Sequence, residues 1–154
     1  MPVTIDDLKQ YLARKNELRN LITSTSERVA RMKSAEQFPS MKISDGSQHV
    51  ASASDLTAQA IERRLEYVYS SECEIANLTA QIRDVEIVVN SIENSQERQI
   101  LRYRYMDADY CRNPQWWTIA QKMYGGMDER HIRACLRVHK AALARFEEIG
   151  ANDV

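Results

Sequence analysis

The nine apolar residues Ile61, Leu65, Val68, Ile75, Leu78, Ile82, Val85, Val89 and Ile92 follow one another at steps of four, three, seven, three, four, three, four and three. Such steps stack side chains on one face of an α-helix, which turns once in about 3.6 residues, and they are incompatible with the two-residue alternation of a strand. Glu72 stands in the single seven-residue gap. The spacing predicts a long helix over about 55–93, starting near Ser54-Asp55 and carrying a coiled-coil-like seam that needs a partner.

The partner lies upstream. Ile5, Leu8, Leu12, Leu18, Leu21, Ile22, Val29 and Met32 form a second stripe over about 5–33. Thr4 is placed to cap this helix, with Asp7 three residues on and Asp6 in the first turn. Lys15 and Arg19 interrupt the stripe, which favours a packed helix pair over a long regular zipper. The periodicity disappears over 34–54, where Pro39, Asp45, Gly46 and six serines read as a connecting loop, or as a segment that orders on a partner. Residues 1–93 are therefore expected to form an antiparallel helical hairpin. Two helices enclose little core, so its stripes should gain burial against the rest of the chain or in a homodimer.

Composition narrows the remaining options. Four glycines and three prolines in 154 residues argue against a turn-rich β-sandwich. No apolar run approaches the roughly 20 residues that span a bilayer, and the N-terminus lacks the pattern of a secretion signal. Cys73, Cys111 and Cys135 are scattered, without a CxxC pair, as expected of reduced thiols. These features predict a cytoplasmic protein. The formal net charge of -1 averages over unlike segments: Arg130, Arg133, Arg137, Lys140 and Arg145 face the single acid Glu129 over 129–145. That local excess fits either the electrostatic footprint of a polyanion-binding helix or a solvated helix face rich in arginine.

The last third reads as three shorter helices. Asn94, with Glu97 at the third helical position, caps a helix from Ser95 to about Met106. After a polar turn over 107–113, Asn113-Pro114 reads as an N-cap followed by proline at the first helical position. That opens a short helix through Trp116, Ile119, Ala120 and Met123, which Gly125-Gly126 ends. Asp128 caps a final helix to about Ile149, and Gly150 is read as its stop. Two helices joined by a tight glycine turn match the helix-turn-helix plan, whose second helix enters the major groove of DNA. Here Ile132, Cys135, Leu136, His139, Leu143 and Phe146 are expected to pack inward. Glu129, Arg130, Arg133, Arg137 and Lys140 are expected to face out as the DNA-binding set. Arginine forks suit guanine or phosphate, lysine suits phosphate, and Glu129 suits a cytosine amino group or the helix dipole.

Four short runs carry a resemblance. The run from Glu97 through Arg98, Leu101 and Arg102 to Tyr103 and Tyr105 is similar to the opening of sigma factor region four, and Trp116-Trp117-Thr118-Ile119-Ala120 is similar to its "W..IA" helix. Asp128-Glu129-Arg130-His131-Ile132-Arg133 resembles its recognition start, and Val138-His139-Lys140-Ala141-Ala142-Leu143 resembles its tail. Together they resemble the phage and prophage sigma-like transcription regulators of the ArpU and RinA type. The resemblance covers roughly 94–146 and is only architectural before that. This chain departs from the group in a longer loop over 106–115, in its pair of turn glycines and in Asp128 where serine is usual. The resemblance agrees with the fold that the stripes and caps predict, an all-α protein with a hairpin over 1–93, and marks 94–150 as a sigma-region-four-like helix-turn-helix. It further implies sequence-specific binding of double-stranded DNA in a bacterial host cell, with recognition helix about 129–149, and contact with RNA polymerase.

Other chemistry is less well served. His131, Cys135 and His139 recur at four-residue intervals, but a fourth metal ligand is not evident, and Cys111 near Asp107 and Asp109 is a weaker candidate still. There is no phosphate-binding glycine loop, HExxH or nucleophile elbow, and Glu72, Glu74, Asp84 and Glu86 are spaced like a solvated helix face. No enzyme activity, cofactor or metal is expected. Tyr103, Tyr105 and Tyr110 are expected to pack the first helix of the C-terminal unit. Two alternatives to a DNA-binding regulator are a helical module that contacts RNA polymerase without reading DNA, and a packaging component resembling a small terminase subunit.

Overall fold

The computed structural model of the chain describes residues 1–37, 53–107 and 113–152. The protein is all-α: helices α1 (Ile5–Lys9), α2 (Tyr11–Gln37), α3 (Ala53–Asn90), α4 (Ser95–Leu101), α5 (Trp116–Tyr124) and α6 (Glu129–Ala151) are joined without a strand among the described residues. None of the helices searched is long and apolar enough to cross a membrane.

Local signals set two of the helix starts, those of α1 and α4. Thr4 and Asp7 form a reciprocal capping box, the Thr4 amide donating to Asp7 Oδ2 at 2.8 Å and the Asp7 amide to Thr4 Oγ1 at 3.4 Å. Arg14 also donates to Asp7, at 2.9 Å. The first helix comes in two pieces, since Gln10 (φ -89°, ψ -1°) leaves ideal helical geometry between α1 and α2. Asn94 caps α4 by accepting from the Gln96 and Glu97 amides at 3.0 and 3.3 Å. α4 is shorter than the helix expected to reach Met106, because Arg102–Met106 is a π-helical turn, in which the Asp107 amide reaches back to the Arg102 carbonyl at 2.7 Å. The expected loop over 34–54 is shorter at both ends, with α2 running to Gln37 and α3 beginning at Ala53. Its remainder, including Pro39, Asp45 and Gly46, lies outside the described residues.

The chain forms two compact units, and their limits differ from a division at residue 93. One comprises Met1–Glu17 with Leu78–Val154; the other is Leu18–Asn77. The first holds the main apolar core: Leu8, Tyr11, Val85, Val88, Val89, Ile92, Ile100, Leu101, Ile119, Cys135, Ala142 and Phe146 are buried. α6 is its hub, packing on α4, α5 and α1. Two observations explain why the N-terminus and the last turns of α3 belong here. The Val3 amide donates to the Gly150 carbonyl at 2.9 Å, and Tyr11 Oη donates to Glu86 Oε1 at 2.5 Å. Gly150 is therefore no stop. It is buried inside α6, where any Cβ would run into the Val3 carbonyl oxygen.

In the second unit α2 and α3 make antiparallel cross-contacts: Arg28 lies over the Tyr67 ring at 4.4 Å, and Arg64 Nε donates to Glu36 Oε1 at 2.6 Å. Along α3 the inward register is stricter than the apolar residues alone suggest. Half-buried Arg64 and buried Ser71 occupy it, whereas Leu65 is 56% exposed and Glu72 is exposed. Ile61, Arg64, Val68, Ser71, Ile75, Leu78, Ile82, Val85, Val89 and Ile92 then alternate by three and four without a gap. Polar residues occupy two seam positions, a device that specifies register at a cost in stability. No described apolar side chain of Leu18–Asn77 is fully buried.

Candidate nucleic-acid interface

Two helices and their turn build the site. α5 begins two residues later than expected, at Trp116, with Gln115 rather than Asn113 as its N-cap residue. The Gln115 carbonyl takes the Thr118 and Ile119 amides at 3.0 and 3.2 Å. Pro114 stays outside the helix, and its carbonyl accepts from Arg104 Nη1 at 2.5 Å. The same guanidinium lies 4.6 Å from the centre of the Trp116 ring. Tertiary anchoring of Pro114 thus displaces the local Asn-Pro signal.

Gly125 ends α5 with φ 73°, a left-handed value that costs glycine nothing and other residues roughly 1 kcal/mol or more. The neighbouring Gly126 is constrained by contact instead: a Cβ there would come 2.6 Å from the His131 ring. Asp128 precedes α6 in extended conformation, and its carbonyl accepts the Ile132 amide at 3.0 Å, but its side chain makes no cap hydrogen bond. Its carboxylate is instead 3.8 Å from His131 Nδ1.

His139 holds α6 against the rest of this unit. Its Nε2 is 2.8 Å from Tyr105 Oη, and Trp116 meets its ring edge-on at 4.7 Å between centroids. Burial, then the Arg104 and Lys9 charges, push the His139 pKa down to about 4. The ring is therefore neutral at pH 7 and shares a hydrogen bond with the Tyr105 hydroxyl. The π-helical turn delivers this contact, since it carries both Arg104 and Tyr105. Tyr105 packs inward as expected, Tyr103 is half-buried with Lys122 Nζ 5.5 Å from its ring centre, and Tyr110 lies outside the described residues. Cys135 is fully buried, and burial raises its thiol pKa, which makes it a packing residue. Cys111 and Asp109 lie outside the described residues. No group of three or more His, Cys, Asp or Glu side chains capable of holding a metal ion occurs among the described residues.

The opposite side of α6 is open. Glu129, Arg130, Arg133, Arg137 and Lys140 are all exposed, as their spacing predicts. At about 100° per residue they cover one sector of roughly 100°. Arg133 Nη2 donates to Glu129 Oε1 at 2.6 Å, one turn apart, with the two side chains 72% and 79% exposed. Glu129 thus braces Arg133, and both guanidinium and carboxylate remain accessible. Arg145 departs from this group: it faces Glu97 at 3.8 Å and Glu148 at 3.4 Å.

The expected inward face needs one correction. Cys135, Ala142 and Phe146 are buried and Ile132, His139 and Leu143 are half-buried, but Leu136 is 43% exposed. It lies about 80° around the helix from the centre of the buried side and only about 40° from Lys140. It joins Glu129, Arg130, Arg133 and Arg137 in lining a shallow open depression. An apolar residue three positions from Arg133 reads as core by type, and only the packing of α4 and α5 on α6 places it outside. Of the tryptophans, Trp116 is half-buried in the His139 cluster and Trp117 is 50% exposed.

Comparison with protein-family models, with curated proteins and with solved structures found no match to this chain.

Proposed function

We propose that this chain binds double-stranded DNA sequence-specifically through α6, as a transcription regulator of the phage type. The observation that carries this reading is the exposed sector of Arg130, Arg133, Arg137 and Lys140, on a helix that a glycine turn joins to α5. Such a sector neutralises phosphates without burying charge, and two or three forks remain free to reach base edges. The Glu129 brace lowers the freedom of Arg133 before binding, which reduces the ordering cost of a base contact. The sigma-like runs of the C-terminal third support regulation of phage genes, with RNA polymerase as a second partner.

Gel-shift titration against duplex fragments from the source genome tests the reading. Retention should fall steeply with salt, and Arg133→Ala should cost about 1–3 kcal/mol if this fork reads a base. Absence of duplex binding at low salt, or binding indifferent to Arg130, Arg133 and Arg137, would refute it.

The hairpin is assigned to self-association, on the exposure of Ile22 (49%), Leu65 (56%) and Tyr69 (72%) in a unit that has no fully buried apolar side chain among its described residues. Sedimentation analysis should show a dimer, which suits paired half-sites. A ring of many subunits would favour a packaging component instead.

A further inference from the structure

Within the DNA-binding reading, on which this inference rests, we infer that Leu136 is a specificity residue that contacts the 5-methyl group of a thymine in the major groove. Leu136 is 43% exposed on the recognition helix, and the depression it lines is otherwise formed by Glu129, Arg130, Arg133 and Arg137. Leaving a leucine partly in water gains nothing for folding, and its surroundings decide what kind of surface could cover it.

The surroundings are cationic. Arg133 precedes Leu136 by three residues, Lys140 follows by four and Arg137 is adjacent, and all three are exposed. An occupant must therefore offer a small apolar surface flanked closely by negative charge. The major groove of duplex DNA offers this combination: a thymine methyl projects into the groove between two phosphate rows. An apolar protein helix would match the leucine but bring no acidic group to Arg130, Arg137 and Lys140, and none to Arg133 beyond Glu129. Helix geometry agrees, because Leu136 shares a stripe with Glu129, Arg133 and Lys140, within about 60°. A helix whose Arg133 reaches a base edge thus brings Leu136 to a base about one turn further along. The expected recognition element pairs a guanine, read by an arginine fork, with a nearby thymine read by Leu136.

The test uses the full chain. Duplexes retained from a random pool are resynthesised with each thymine replaced singly by deoxyuridine, which keeps the Watson–Crick pairing and removes only the methyl. At one or two positions per half-site, deoxyuridine should weaken binding about fourfold, the loss associated with one buried methyl-sized group. Leu136→Ala should weaken binding to the thymine duplex by a similar factor and abolish the thymine-to-deoxyuridine difference at those positions. Arg133→Ala should weaken both duplexes and preserve the difference. The deoxyuridine series uses unaltered protein, so its result does not depend on how any variant folds. Equal binding at every substituted position, or a difference that survives in Leu136→Ala, overturns the assignment while leaving DNA binding intact. Equal binding combined with Leu136-dependent retention of RNA polymerase overturns it in favour of a protein contact. Failure to retain any duplex removes the DNA-binding reading and this assignment with it.

Discussion

Acid should loosen the C-terminal unit at a pH where most carboxylates are still ionised, and His139 is the reason. In the folded chain burial, with Arg104 and Lys9 nearby, holds its pKa at about 4, against an ordinary value of 6.5. The folded state therefore binds fewer protons than the unfolded chain between those values. Stability from this group is complete above pH 6.5, declines as the pH falls toward 4 and is lost below that. Complete linkage across the interval corresponds to roughly 3 kcal/mol. His139 is only half shielded, and solvent screening reduces this to about 1–2 kcal/mol. Most of the loss should already be present at pH 5. Urea denaturation followed by tryptophan fluorescence measures it, because Trp116 contacts the His139 ring and Trp117 is its neighbour. Between pH 7.5 and 5.0 the wild-type chain should lose about 1 kcal/mol more than His139→Gln, which keeps a hydrogen-bonding side chain but does not titrate. The other two histidines, His49 and His131, are common to both chains and cancel in the comparison. Equal pH dependence in the two chains, or a wild type that gains stability on acidification, would refute the argument.

Three further perturbations probe other links. Phe146→Ala removes a fully buried ring from the hub helix and should cost about 3–5 kcal/mol in chemical denaturation. Gly150→Ala should cost about 1–3 kcal/mol although alanine is the better helix former, because its methyl would displace the Val3 backbone; a stabilised variant would show that the N-terminus is not docked there. Glu129→Gln should leave stability unchanged within about 0.5 kcal/mol, since the pair with Arg133 is exposed, yet it should weaken duplex binding by loosening that arginine; thermal melts and gel shifts separate the two effects.

Much of this architecture was legible because the signals were local. The Thr4–Asp7 box, the Asn94 cap and the Gly125 turn each depend on residues within four positions of one another, and all three form as their residue types predict. The long apolar repeats forced helices for the same reason, because periodicity is a property of neighbours. The basic sector from Arg130 to Lys140 could likewise be read from spacing alone. Tertiary structure decided whatever depended on distant atoms. The Arg104 bond to the Pro114 carbonyl accompanies the shift of the α5 start away from Asn113, and Val3 keeps Gly150 inside α6. Arg64 and Ser71 hold seam positions that apolar spacing assigned to Leu65 and to the gap at Glu72. Leu136 is the most consequential case. Its type says core and its spacing puts it on the stripe of Arg133 and Lys140; the packing of α4 and α5 on α6 leaves that stripe uncovered. A sequence sets which face of a helix is apolar, but the width of that face that is covered depends on the helices that meet it.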